Sequence, residues 1–404
     1  MHRLASVRFL AGVGVSSYGD WLTTFALAVV LYGATGSVAA TAGYFLVRVA
    51  PRPVGAWLGG PLGDYVSPRV AILGAAVAQT GLTALLALPL ATHRALWSVY
   101  ILAGLSQFVG GSWQPLTSAV MTRLATGRER HTVNLVYILV GGSSMLVSPA
   151  IGALLLPALG AVPLVLADAA TFAVAALLFL SLPAMPGGAA HRLTLHSAAV
   201  GGFAAVSRMR ILRVIALGAF GSTVAITALQ TGLPALALHR FGSSADAGFL
   251  YAMVGLGSVG GSLIALWPRL RRPAVILPGI ALETAGIGAT AALGAPVADL
   301  LILAVSTAAA SLAQVEGGVV IQSQAIEIVG RVQGAVSTSR FLGMTGGAAL
   351  ALLFALVNQR SWEPLVLVLS LVGLLILFAS TLGPRGIGAS TAAGETSPLT
   401  QVAD

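Results

Sequence analysis

Gly59-Gly60-Pro61-Leu62-Gly63-Asp64-Tyr65-Val66-Ser67-Pro68-Arg69 closes one apolar run, Val38 to Leu62, and leads into another, Val70 to Ala91. Its small residues let two helices approach closely. Pro61 and Pro68 interrupt the helical hydrogen-bond ladder, and Asp64 and Arg69 place charge where the chain leaves a bilayer. A short charged turn between two runs of about 20 apolar residues reads as two membrane spans, because that length crosses roughly 30 Å of hydrocarbon.

The rest of the chain extends this pattern. Hydrophobic residues make up 57% of it and charged residues 8%, whereas a soluble domain carries about 25% charge. Mean hydropathy is +0.94, so the chain is an integral membrane protein by composition. The 49 glycines show no three-residue period, which suits close helix packing in lipid and excludes collagen. With 0 cysteines there is neither a disulfide nor a thiolate metal centre. The net charge of +9 raises nucleic acid as a partner, but the arginines sit in short loops rather than in one patch. Membrane topology explains them better, and no nucleic-acid partner is expected. The 6 histidines form no His-x-x-x-His pair, and no Gly-x-x-x-x-Gly-Lys loop is present, so neither a metal nor another cofactor is expected.

Twelve spans are predicted: Phe9–Gly33, Val38–Leu62, Val70–Ala91, Leu96–Leu124, Asn134–Leu156, Val162–Leu182, Ile211–Leu238, Ala245–Trp267, Ala274–Leu293, Val297–Gln324, Gly334–Val357 and Glu363–Leu382. The first is too long, and with Asp20 too polar, for a cleavable leader. Residues 1–183 form a first six-helix bundle and 211–383 a second. Residues 184–210 are a linker whose last part reads as an amphipathic helix on the membrane surface. The polar tail, 384–404, is expected to be disordered. Loops on the side of the N-terminus hold Arg3, Arg8, Arg69, Arg123, Arg128, Arg130, Arg192, Arg208, Arg210, Arg213, Arg269, Arg271, Arg272, Arg331 and Arg385. The opposite loops hold Arg94, Arg240 and Arg360. This asymmetry places both termini in the cytoplasm and favours an even number of spans.

The halves also repeat. Gly43-Tyr44-Phe45-Leu46 through Gly55, followed by Val70-Ala71-Ile72-Leu73, is echoed by Gly248-Phe249-Leu250 through Gly260 and Ala274-Val275-Ile276-Leu277. Gln107 with Gly110-Gly111 recurs as Gln314 with Gly317-Gly318. The offset is near half the chain throughout.

The turn quoted first resembles the loop signature of the major facilitator superfamily, with Gly60, Leu62, Gly63, Asp64 and Arg69 matching and Tyr65, Ser67 and Pro68 departing from it. Ser17-Tyr18-Gly19-Asp20, Asp168-Ala169-Ala170-Thr171-Phe172 and Gly330-Arg331-Val332 resemble the branch containing the enterobactin exporters. Ser148-Pro149-Ala150-Ile151-Gly152 resembles a worn antiporter motif, with Ser148 and Ala153 in place of its outer glycines. The resemblance implies an all-α membrane protein of twelve transmembrane helices in two pseudo-symmetric six-helix bundles. The substrate site would lie near midplane at their interface.

Asp20 lies near the middle of the first span, with Ser16, Ser17, Thr23 and Thr24 three or four positions away. An acid at the bilayer centre costs about 2.5–3.5 kcal/mol on insertion scales, so it must face protein or water. It reads either as a proton-binding carboxylate or as one locked in an ion pair. Arg48 and Arg52 are one turn apart. Arg48 is the natural partner for Asp20, or else holds an anionic substrate group, while Arg52 reads as snorkelling. Glu283 and Glu316 are the deep acids of the second half. Because the tenth span lines the cavity in the resembling fold, Glu316 is the second proton-coupling candidate and Glu283 reads as structural. Gln314 stands about 200° from Glu316 on that helix and competes with it for the cavity face.

Gln107 and Gln114, Thr227 and Gln230, and the aromatic residues Trp113 and Tyr137 are candidate cavity walls, with plain packing as the alternative for each. Asp168 and Asp299 read as interfacial. The resemblance further implies a gate in which Asp64, with Gly60, Arg69 and Arg340, engages the inner end of the eleventh helix, whose N-terminus is partly positive.

These readings make the chain a non-enzyme. It is expected to be a secondary transporter exporting a small amphipathic or hydrophobic compound (drug, siderophore or natural product) by alternating access, in exchange for protons. It is expected as a monomer in a bacterial cytoplasmic membrane. An importer, a lysolipid flippase and a non-transporting scaffold are alternatives on the same fold. A polyprenyl-dependent glycosyltransferase is disfavoured, since the short outer loops carry no cluster of acids or histidines.

Overall fold

The computed structural model describes residues 2–35, 38–92, 97–125, 129–185, 195–241, 247–324, 328–357 and 362–382, and its described elements are all helical. The tail expected to be disordered lies outside them. The first bundle contains α1 (His2–Thr35), α2 (Val38–Val49), α3 (Arg52–Tyr65), α4 (Pro68–Thr92), α5 (Trp97–Leu124), α6 (Glu129–Leu159) and α7 (Ala161–Leu180). The linker holds α8 (Leu195–Arg208). The second bundle contains α9 (Arg210–Phe241), α10 (Ala247–Ile264), α11 (Ile276–Leu293), α12 (Pro296–Gln322), α13 (Val329–Val357) and α14 (Trp362–Leu382). Helices α2 and α3 are halves of one span, so these make twelve spans in two six-helix bundles. Seven stretches among the described residues are long and apolar enough to cross a membrane on those grounds alone. Spans such as α1, α5 and α13 carry the acids, amides and arginines of the interior, which lowers their hydropathy.

The second span departs from the continuous rod expected for Val38–Leu62. It breaks at Ala50 and Pro51. Pro51 and Pro53 lack the N–H groups that would bond the carbonyls of Val47 and Val49, so one helix ends there and another begins. Arg48 and Arg52 therefore flank a break. Pro61, expected to interrupt the ladder, lies inside α3, which runs on to a Val66 N–H···O=C Leu62 bond of 2.9 Å. Pro68 opens α4, where a missing N–H is harmless. Gly294, at φ +64°, ends α11 in the left-handed conformation that glycine adopts without steric penalty.

Each bundle repeats the same packing. Helix α1 lies on α7 and α6, and α9 lies on α14 and α13. Helix α4 lies on α5 and α7, and α11 lies on α12 and α14. Gly55 and Gly59 seat α3 directly on the backbone of α5 at Phe108 and Ser112. Gly257 and Gly261 do the same for α10 on α12, at Ala304 and Ala308. Lipid supplies no hydrophobic drive between helices, so such backbone-to-backbone approaches and buried polar bonds carry the association. The seam between the bundles obeys the repeat too, with α3 against α13 and α6 against α10.

Two outer acids read as interfacial are enclosed by protein. Asp168 is 1% exposed and Asp299 is 0% exposed. Asp299 Oδ2 meets Arg240, whose guanidinium also donates to the carbonyls of Thr290 (2.6 Å) and Ala291 (3.0 Å) and reaches Glu363 at 3.4 Å. Arg240, read from sequence as a loop charge, thus ties α9, α11, α12 and α14 together. Helix α8, expected on the membrane surface, packs against α3, α9 and α13, with Gly202 against the backbone of Arg331.

Candidate functional site

The first centre is Asp20. Arg48 Nη2 donates to both its carboxylate oxygens, at 3.0 and 3.2 Å, and Arg52 Nη2 stands 3.9 Å from Oδ2. Gln107 joins them, accepting from Arg52 Nε at 2.6 Å and donating to Asp20 at 3.4 Å. Arg48 also donates to the Tyr44 hydroxyl at 3.3 Å. The Arg48 side chain is 8% exposed, but that of Asp20 is 29% and that of Arg52 22%. Arg52, expected to snorkel, instead points inward and stacks 5.5 Å from the Phe341 ring centroid on α13. The cluster thus touches the seam between the bundles. Asp168 lies beside it, because Gly19 lets α7 approach α1 so closely that a Cβ there would strike Asp168 and Thr171.

The second centre is a cavity of about 100 Å³ between α5, α6, α9, α11, α12 and α13. Of the walls expected from sequence, Gln114, Tyr137 and Gln314 line it. Trp113 does not: its ring packs 5.9 Å from both Phe172 and Phe179 inside the first bundle. Thr227 is buried, its hydroxyl unpartnered among the described residues. Gln230 accepts the Tyr251 hydroxyl through its carbonyl at 2.8 Å. Neither belongs to this cavity.

Arg340 does not sit at the inner end of the eleventh span, as the gate would require. It stands about three turns into α13, a rise of roughly 16 Å at 1.5 Å per residue, and faces the cavity with Glu283.

The third centre closes the arginine-rich end. His131 Nε2 on α6 meets Glu316 Oε1 on α12 at 2.9 Å. The contact is off the hydrogen-bonding direction, and neither atom has another hydrogen-bond partner among the described residues. One turn on, Asn134 exchanges two bonds with Gln322, at 3.0 and 3.1 Å. Ser337 on α13 donates to Gln114 on α5 at 3.2 Å, and the Thr338 hydroxyl donates to the Pro53 carbonyl at 3.2 Å. Gly60 sits where an added Cβ would be 2.9 Å from the Gly330 oxygen and 3.2 Å from Gly334 Cα.

Glu316 thus faces the partner bundle, and Gln314 faces the cavity, consistent with their angular separation. Arg69 caps α7 by donating to the Leu180 carbonyl at 2.5 Å, within the first bundle. The side chain of Asp64 lies outside the described residues. His131, Asn134 and Gln322 were not singled out from sequence, although the i, i+3 spacing of His131 and Asn134 at the start of an apolar run was a signal for them.

The sequence profile of the Major Facilitator Superfamily matches residues 9–348. Among curated proteins no sequence match is found. Solved structures are similar over nearly the whole chain. The human organic anion transporter TETRAN gives a TM-score of 0.70 at 17% identity, covering 92% of this chain and 99% of that one. A bacterial homologue of the iron transporter ferroportin, in its outward-facing state, gives 0.69 at 14%, covering 93% and 99%. The E. coli fucose:proton symporter gives 0.63 at 18%, covering 93% and 96%.

Proposed function

Because the chain belongs to the Major Facilitator Superfamily, we propose that it is a secondary transporter that exports a small amphipathic compound by alternating access, in exchange for protons. The observation that carries this reading is the Asp20 cluster. A carboxylate half-open at mid-span is held by Arg48 and Arg52, and Arg52 reaches the other bundle. Neutralising Asp20 with a proton removes the charge that holds both guanidiniums, and so alters the α3–α13 seam directly. Glu316 supplies a second proton site at the arginine-rich end, where its contact with His131 joins the bundles.

In this scheme the seam at Gly60, Asn134 and Gln322 is the inner gate. It opens as the bundles rock, and the loop around Asp64 and Arg69 steadies the closed form. The chain works as a monomer in a bacterial cytoplasmic membrane with both termini inside, as the arginine asymmetry favours. The resemblance of its first and sixth spans to the enterobactin exporters supports export as the direction. Transfer of a lysolipid across the bilayer, or import, is the alternative on the same fold.

The test is flux in proteoliposomes with ethidium, a hydroxamate siderophore and a fluorescent lysolipid, each with and without an imposed pH gradient. Movement of ethidium or the siderophore against its gradient, abolished by Asp20→Asn, supports the proposal. Movement of the lysolipid alone favours the alternative, and flux of all three unaffected by the pH gradient contradicts proton exchange.

A further inference from the structure

The wall of the cavity divides its polar groups into two sets. Asn134 and Gln322 bond each other, and Gln333, Ser337 and Gln114 form a chain, each satisfied by another wall group. Among those without such a bond are the Arg340 guanidinium and the Ser118 hydroxyl, while the Glu283 carboxylate accepts from Ser222 but has no cation within salt-bridge distance among the described residues. Ser118 is 4% exposed, and its hydroxyl has no hydrogen-bond partner among the described residues. Arg340 makes no ion pair or side-chain hydrogen bond among the described residues. Arg52 adds a repelling charge from the α3 side. Glu283 feels Arg340 but does not close on it as a salt bridge. The same wall carries apolar residues, Ile276 and Ile280 among them.

From this juxtaposition we infer that the cavity binds a small bipolar substrate, whose anionic group seats on Arg340 and whose cationic group seats on Glu283, with an apolar body between them. The inference rests on the transporter reading and narrows it. An unpaired guanidinium on a cavity wall invites an anion, and its planar fork suits a carboxylate or phosphate. The Glu283 carboxylate, with a hydroxyl donor but no cation against it, likewise suits a cationic group. Both conditions are met at once by a molecule that carries an anionic and a cationic group.

The chain has 0 cysteines, so Ser118→Cys creates a single reporter thiol in the wall. Protection of that thiol from maleimide is read with three matched probes: 4-(aminomethyl)benzoate, 4-methylbenzoate and 4-methylbenzylamine. The zwitterion is expected to protect at roughly tenfold lower concentration than either single-charge probe, the difference one well-placed ionic contact makes. Adding Arg340→Gln removes protection by both carboxylates and spares the amine, Arg340→Lys restores part of it, and Glu283→Gln makes the zwitterion no better than 4-methylbenzoate. Equal protection by zwitterion and 4-methylbenzoate in the Ser118→Cys parent overturns the bipolar assignment, and so does indifference to Arg340→Gln in a monodisperse protein.

Distances between spin labels on the two bundles, recorded without probe, separate the two readings. Bundles that move while no probe protects overturn the substrate class alone. Probes that protect while the bundles never move overturn transport and leave the class standing.

Discussion

His131 Nε2 lies 2.9 Å from Glu316 Oε1 across the seam between the bundles. Both residues are buried, at 8% and 4% exposure, and their contact is available only while α6 and α12 are together. Replacing His131 by Ala leaves the buried Glu316 carboxyl without its polar neighbour across the seam and weakens the closed form. Disulfide formation between cysteines placed at Asn134 and Gln322 should fall accordingly. Unchanged yield would mean the pair does not hold the seam.

Gly60 makes a sharper steric prediction. Any side chain there meets backbone of α13 at Gly330 and Gly334, which cannot retract as a side-chain tip can. Gly60→Val should keep the arginine-rich end from sealing, raising maleimide access to a cysteine at Gln314 roughly tenfold, equivalent to about 1.4 kcal/mol. Gly74→Val, where nothing lies within 4 Å, is the control and should leave access unchanged.

Arg240 is expected to matter for stability and not for transport. Its loss leaves Asp299, at 0% exposure, without its counter-ion, and breaking such a buried pair costs roughly 3–5 kcal/mol. Arg240→Ala should melt well below the parent in detergent while thiol protection in the cavity persists in the folded fraction.

Asp20 and Arg48 should be coupled. Asp20→Asn and Arg48→Gln each strand a partner, whereas the double variant strands neither. A double-mutant cycle on unfolding in mixed micelles should therefore give an interaction energy of about 0.5–3 kcal/mol. Additive losses would show that the 3.0 Å contact contributes nothing to the fold.

Much of this architecture was legible in the sequence, for a physical reason. In lipid every span must satisfy its own backbone, so twelve apolar runs, a half-chain repeat and a lopsided distribution of arginines leave few folds open. The partnership of Asp20 and Arg48 was also readable, since two opposite charges at mid-depth in neighbouring spans have few other places to go. What escaped was anything that depends on helix rotation and end points. Arg340 looked like an inner-end residue until α13 was seen to begin at Val329. Trp113 could face cavity or bundle, and its aromatic neighbours on α7 decided it. Nor could the burial of Asp168 be read, since it depends on Gly19 of the opposing helix letting α7 close over it.

The central claim is that a proton on Asp20 shifts the bundles about their seam. Pulsed electron paramagnetic resonance tests it most directly, with one label pair at Ser181 and Ser323 on the arginine-rich end and another at Thr92 and Leu293 on the opposite end. Acidification should lengthen the first distance and shorten the second, and Asp20→Asn should hold the acid-side distances at every pH. Distances indifferent to pH in the native chain, or an Asp20→Asn variant that follows pH as the native chain does, would contradict it.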